Sequence, residues 1–302
     1  MRPLLICYDG SAAAESAIDV AAAALEPRRA IVLNVAPRLT VAESFATVGS
    51  IVSGEAAFEG VNKADALRRA RAGARRARQA GLDAEPRVCV AAPMWEGIVE
   101  AADGVDAAVV VMGSRGRHGL RQFAEGSVSH DVAAHAGRPI FIAPRGARAT
   151  AGPILICYDG SEQARKAIET AAALVRVREA VVLDAVPLRI SVGYSEWPAE
   201  APWVDEADAA VALQGAEMGA EVARRAGLDA FATTHAATSI PRAVRDIADE
   251  VDASVIVVGS RGLTGVREIV ERSVSRAVAT HAHRPVLIVP PDRGPQEQLA
   301  GA

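Results

Sequence analysis

Aromatic residues supply only 4% of the 302 positions, so the interior must be filled by Ala, Val, Ile and Leu rather than by rings. Cysteine is scarcer still: Cys7, Cys89 and Cys157 are the whole complement, each inside an apolar, strand-like run. Three scattered thiols make no disulfide scaffold and match no metal spacing, so they are expected as small buried hydrophobes in a reducing compartment. No run approaches the ~18 consecutive apolar residues of a membrane span. The apolar opening of MRPLLICYDG stops before Asp9, too soon for a secretory leader, and a cytoplasmic protein without a membrane partner is expected. Basic charge is not in excess either. With 33 Lys and Arg against 37 Asp and Glu, the formal net charge of −4 argues against a nucleic-acid partner. The Arg-rich stretch RRARAGARRAR (68–78) accordingly reads as the solvated face of a helix between strands.

What the sequence does contain is written twice. LLICYDGS (4–11) returns as ILICYDGS (154–161), and AIVLNVAP (30–37) as AVVLDAVP (180–187), both at an offset of 150. After a slip of four residues, AGLDA (80–84) matches AGLDA (226–230), VVVMGSRG (109–116) matches VIVVGSRG (255–262), and AGRPIFIAP matches AHRPVLIVP. A period this long is no solenoid repeat; it gives two copies of one domain, at 1–146 and 152–291, joined around RGARATAGP. Residues 292–302 lack periodicity and read as a disordered tail.

Within each copy, short β-branched runs that are apolar throughout alternate with helical stretches. That pattern predicts parallel strands covered on both faces, connected by right-handed crossovers: a doubly wound α/β sheet. Such sheets bind ligands beyond the carboxyl ends of their strands, where the strand order reverses. Asp9-Gly10-Ser11 closes the first strand and Gly113-Ser-Arg-Gly116 the fourth, so both repeated motifs fall at those ends.

Gly113 and Gly116 leave bare backbone that can turn amides toward a ligand, and Gly126 does the same before a helix. Ser127 is a natural N-cap for SVSHDVAAHAG, whose dipole would aim its positive end into the loop beside the hydroxyls of Ser127 and Ser129. Together these features suit phosphate oxygens. No GxxxxGK[ST] occurs, and DGS stands where a GxGxxG would be, so neither a P-loop nor a dinucleotide fingerprint is present.

The spacing Gly113-x2-Gly116-x9-Gly126-Ser127, with the Asp-Gly-Ser turn and the Arg-Pro-apolar final strand, resembles the universal stress protein family, as a tandem pair covering nearly the whole chain. The resemblance implies two Rossmann-like domains, each a five-stranded parallel sheet of order 3-2-1-4-5. It also implies an internal pseudo-dimer and further homodimerisation. For function it implies binding of ATP or a related adenine nucleotide, with Mg2+ as an accompanying ion, in stress response or regulation. Carried over by position, Asp9 lies near adenine or ribose and Val35 against the base. Met112 and Gly113 then line the ribose and phosphate side, and Gly116, Gly126, Ser127, Val128 and Ser129 wrap the phosphates. The second-copy counterparts are Asp159, Gly259, Gly262, Ser273 and Ser275. Two readings stand open for Asp9, a ligand contact or a turn carboxylate satisfied by local amides. For Val35 and Met112 plain core packing is the alternative.

The copies are not equivalent, because Arg272 replaces the last glycine and Ala185 replaces Val35. Arg272 either fills the phosphate space, reaches a phosphate through a charge-assisted contact, or is a solvated loop arginine paired with Glu268 or Glu271; the first domain is expected to be the better nucleotide site. Catalytic residues are not apparent: neither loop holds a lysine, His130 and His135 lie five apart, and no nucleophile elbow is present. A nucleotide-binding regulator with at most slow hydrolysis is the leading expectation, with a nucleotide-free scaffold of the same fold or a weak ATPase as alternatives.

Overall fold

Residues 4–7, LLIC, carry no polar break, and they form β1 (Leu4–Cys7), the central strand of a parallel sheet. The structure, a computed structural model, describes residues 2–26, 29–38, 55–114, 128–188, 203–260, 277–279 and 282–291. The chain divides into two compact units, Met1–Ala23 with Pro27–Ala147, and Ala24–Glu26 with Arg148–Ala302.

In the first unit the chain runs β1, α1 (Ala12–Ala24), β2 (Arg29–Pro37), α2 (Glu55–Gln79), β3 (Asp83–Ala91), α3 (Met94–Gly104), β4 (Val109–Gly113), α4 (Val128–His135) and β5 (Ile140–Ala143). The strands lie in the order β3-β2-β1-β4-β5, all parallel, with Leu4 beside Ala30 on one flank and Val109 on the other. Residues of opposite parity on β2 face opposite layers. Val32 packs toward Gly73 of α2, while Val35 lies toward Gly97 of α3. Ion pairs of Arg76 with Asp19 and Glu15 join α2 to α1, and the Trp95 ring of α3 stacks on His135 of α4 at 4.4 Å. Thus α1 and α2 cover one face, α3 and α4 the other. Arg68 and Arg69 also pair with Asp65, so several cations of the Arg-rich helix already have partners.

The second unit repeats the plan as β6 (Ile154–Cys157), α5 (Glu162–Leu174), β7 (Glu179–Pro187), α6 (Glu206–Arg225), β8 (Asp229–Ala237), α7 (Ile240–Glu250), β9 (Val255–Gly259) and β10 (Val286–Val289). Its order is β8-β7-β6-β9-β10, again parallel. Each unit is thus a doubly wound five-stranded parallel sheet of the expected order. Their cores are aliphatic: Leu4, Leu5, Ile6, Ile154, Leu155 and Ile156 are fully buried, and Phe141 is the one aromatic among the largest fully buried side chains.

The Arg-Pro step before each final strand has a structural role in both units. Arg138 bonds Asp103 at 3.0 Å, Asp106 at 2.9 Å and the Ala107 carbonyl at 2.8 Å. It thereby fastens the turn after α3 to the entry of β5. Arg284 repeats the clamp on Asp252, at 2.6 Å, and the Ala253 carbonyl. The clamped aspartates hold left-handed backbone, with φ of 48° at Asp106 and 51° at Asp252.

Candidate functional site

The carboxyl end of β1 turns sharply at Asp9. Its Oδ1 accepts the Ser11 N–H at 2.9 Å, Gly10 takes φ +82°, and Ser11 Oγ accepts the Ala14 N–H at 3.2 Å to begin α1. A side chain at Gly10 would strain the left-handed backbone although nothing crowds it. The second unit copies the turn at Asp159, Gly160 (φ +76°) and Ser161, with corresponding bonds of 3.0 and 3.1 Å. Asp9 is half-buried and Asp159 exposed.

Beside this turn stands the end of β4. Ile6 pairs with Val111, so Met112 and Gly113 run out alongside the end of β1. Met112 is 6% exposed, a core residue at the rim. Gly113 abuts the start of α1: a Cβ there would stand 2.7 Å from the Ala13 carbonyl carbon. Gly259 meets the Gln163 carbonyl oxygen in the same way, at 2.9 Å. Neither glycine is among those with positive φ, so the first glycine of each motif serves close helix–strand packing.

Val35 sits near the carboxyl end of β2, half-buried, in register with Cys89. Gly97 lets α3 settle there, since a Cβ at that position would lie 3.1 Å from Cys89 Sγ and 3.6 Å from Val35 Cγ1. In the second unit the same face carries Ala185 in register with His235, whose Nε2 is 3.9 Å from an Asp246 carboxylate oxygen on α7. Val128 and Ser129 open α4, both half-buried. The structure therefore gathers Asp9, Met112 and Gly113 on one rim, with Val35 on the adjoining strand, and Asp159 and Gly259 on the equivalent rim. Gly116, Gly126, Ser127, Gly262, Arg272, Ser273 and Ser275 lie outside the described residues.

Sequence reasoning passed over one pair. Asn34, only 4% exposed, donates from Nδ2 to the Tyr8 carbonyl at 2.6 Å, while its Oδ1 has no partner among the described residues. Asp184 replaces it in the second unit, where burial and then the charge of Asp159 push the carboxyl up to about 6. The signal was present in the repeats: LNV against LDA, a polar exchange inside an otherwise apolar strand. The three thiols, expected as buried, are each half-buried at the ends of β1 and β6 and within β3. Burial raises Cys7 and Cys89, and carries Cys157 to about 12. Among the described residues no cluster of metal-ligating side chains occurs, and no helix is long and apolar enough to cross a membrane.

A doubled α/β fold with a tight Asp-Gly-Ser turn and a glycine-ended fourth strand at the reversal of strand order defines a class of tandem two-domain α/β proteins. The comparisons specify it. The universal stress protein family model matches residues 1–144 and 151–290, and the chain belongs to that family. A Staphylococcus haemolyticus protein, SH1215, assigned by name to the universal stress proteins, is 28% identical over 148 residues, 48% of this chain and 87% of that protein. The crystal structure of a universal stress protein from Archaeoglobus fulgidus DSM 4304 shares the fold, with TM-score 0.66 and 20% identity over 97% of both chains. A Pseudomonas aeruginosa UCBPP-PA14 structure bearing the same family name aligns with TM-score 0.57 and 13% identity over 97% of this chain and 94% of its own.

Proposed function

We propose that the first domain (1–146) holds an adenine nucleotide, ATP or a close relative, and that the protein acts as a nucleotide-responsive regulator with at most slow hydrolysis. The observation that carries this reading is the convergence of Asp9 and Gly113 at the ends of the adjacent strands β1 and β4, where the strand order reverses. The chain leaving Gly113 leads into Gly116, Gly126 and Ser127, and α4 follows at Val128 with its amino end toward that segment. Asp9 and Val35 serve adenine and ribose; Met112, Gly113, Gly116, Gly126, Ser127, Val128 and Ser129 serve ribose and phosphates. The second domain (152–291), with Arg272 in place of glycine, is the weaker site. Its counterpart residues are Asp159, Gly259, Gly262, Ser273 and Ser275.

Identification of small molecules released from the purified chain, followed by equilibrium dialysis with ATP with and without Mg2+, tests this. Gly126→Arg, which copies the second domain, is expected to weaken binding at least about tenfold, the equivalent of ~1.4 kcal/mol. Undiminished binding by that variant would overturn the assignment. A specific observation favours a second reading, a nucleotide-free scaffold: Asp9 is satisfied by Ser11, and Gly113 is required by Ala13 without any ligand. A chain that carries no nucleotide and binds none supports the scaffold.

A further inference from the structure

The ladder that joins β1 to β2 ends identically in both units. Tyr8 N–H reaches the Leu33 carbonyl at 2.8 Å, and Tyr158 N–H reaches the Leu183 carbonyl at 2.9 Å. One residue further along the receiving strand, the two units part. Asn34 gives an N–H to the Tyr8 carbonyl at 2.6 Å and so ties β2 to the residue directly before Asp9. Asp184 takes the same register position, but an ionised carboxylate has no proton to give the Tyr158 carbonyl. As an acceptor only, it cannot copy the bond that Asn34 makes, and Asp184 makes no hydrogen bond among the described residues.

Among the described residues, the elements around Asp184 bring it no cation. From the end of β6 comes Asp159, a like charge. From β8 comes Thr234, in register with Asp184, uncharged, its hydroxyl buried and without a partner among the described residues. From α6 comes Gly215, so near that a Cβ there would stand 2.5 Å from Asp184 Oδ2. The matching position on α2 of the first unit is Arg69, so the second unit has glycine where a cation could have compensated. Burial and a neighbouring carboxylate both favour the neutral acid.

We propose that Asp184 is a proton-operated latch on the Asp159-Gly160-Ser161 turn. When protonated, its carboxyl O–H donates to the Tyr158 carbonyl and reproduces the bond that Asn34 makes permanently. Release of the proton to solvent removes that bond and sets the carboxylate against Asp159. The first domain is thus locked at every pH, and the second is locked only on the acid side of the titration of Asp184. Since the latched turn forms the rim of the second candidate site, ligand affinity there becomes linked to protons; that extension rests on the nucleotide reading above.

Carboxyl-carbon NMR of the full chain with labelled aspartate, using Asp184→Asn to assign the resonance, reads the latch directly. The expected midpoint is about 6, well above the ordinary aspartate value, and it falls in Asp159→Asn. Melting curves give a second readout. Asp184→Asn carries its donor at all pH values, so it is expected to melt closest to the parent near pH 3.5, below the ordinary aspartate value, and to rise above it progressively until the gap is full at about pH 7.5. A midpoint in the ordinary aspartate range overturns the latch, as does the same melting difference at both pH values. Neither measurement requires nucleotide. A chain that binds none while Asp184 still titrates near 6 loses only the ligand linkage, whereas ATP bound by a chain without the titration refutes the latch alone.

Discussion

Gly113 lies flush against the backbone of Ala13, with no room between them for a methyl group. A Cβ there would meet the carbonyl carbon at 2.7 Å, the oxygen at 2.8 Å and the Ala13 side chain at 2.9 Å, and backbone at a helix start cannot shift as a side-chain tip can. Gly113→Ala is therefore expected to destabilise the first domain by about 1–3 kcal/mol, the usual range for overpacking. Urea denaturation measures it. Gly259→Ala meets Gln163 backbone at 2.9 and 3.0 Å and should cost a similar or smaller amount. A loss below ~0.5 kcal/mol for Gly113→Ala would mean that α1 slides away freely.

Asp9 invites a separation of turn from ligand. Its Oδ1 accepts the Ser11 N–H, a bond that an Asn side-chain oxygen can also accept. Asp9→Asn is expected to keep stability within ~0.5 kcal/mol, while Asp9→Ala loses about 0.5–1.5 kcal/mol with the hydrogen bond. If the carboxylate touches adenine or ribose, Asp9→Asn lowers ATP affinity despite the preserved turn. Equal affinity for parent and Asp9→Asn would assign Asp9 to the turn alone.

These two residues show what was legible in the sequence. The repeat, the doubly wound parallel sheet and the placement of Asp9 and Gly113 at strand ends follow from unbroken apolar runs and turn residues, the strand order was implied only by the family resemblance, and the structure has all of them. Gly113 was legible as a glycine that matters, yet its reason was not. The sequence suggested room for a ligand, whereas the close approach of α1 to β4 is a tertiary distance that no local pattern encodes. Asn34 and Asp184 escaped because a single polar letter inside an apolar strand looks like noise until its partner, a carbonyl 26 residues away, is seen. Gly97 escaped for the same reason: its neighbours Ala91 and Cys89 come from another element.

The thiols give a pH-dependent test. Burial lifts all three, with Cys157 at about 12, helped by the nearby charge of Asp159. At about pH 8 a thiol of that acidity is thiolate in roughly one molecule in ten thousand, against about a quarter for an ordinary cysteine. A disulfide exchange reagent should therefore label the native chain far more slowly than the urea-unfolded chain. The native rate should climb through the whole alkaline range instead of levelling near pH 9. Fast native labelling of Cys157 would show that the β6 end opens readily.

Arg138 provides the last test, because one guanidinium serves acceptors from two elements. It is 14% exposed and bonds Asp103, Asp106 and the Ala107 carbonyl, holding Asp106 in left-handed backbone at the entry to the final strand. A lysine cannot divide its charge among three acceptors in a plane. Arg138→Lys should therefore fall between the parent and Arg138→Ala, whose loss of the bonds to Asp103 and Ala107 costs on the order of 1–2 kcal/mol. Bonds from Arg2 and then Arg138 hold the Asp106 carboxyl below the ordinary aspartate range. A depressed carboxylate contributes stability that is present above its unfolded value and lost as pH falls through its folded one. The gap between parent and Arg138→Ala should then be full at neutral pH and narrow below about pH 4, with denaturation midpoints at each pH as the measurement. Salt should shrink the gap only in part, since it screens exposed Asp106 but leaves the Ala107 carbonyl bond in place. A gap erased by salt would make the clamp a surface ion pair and no anchor for β5.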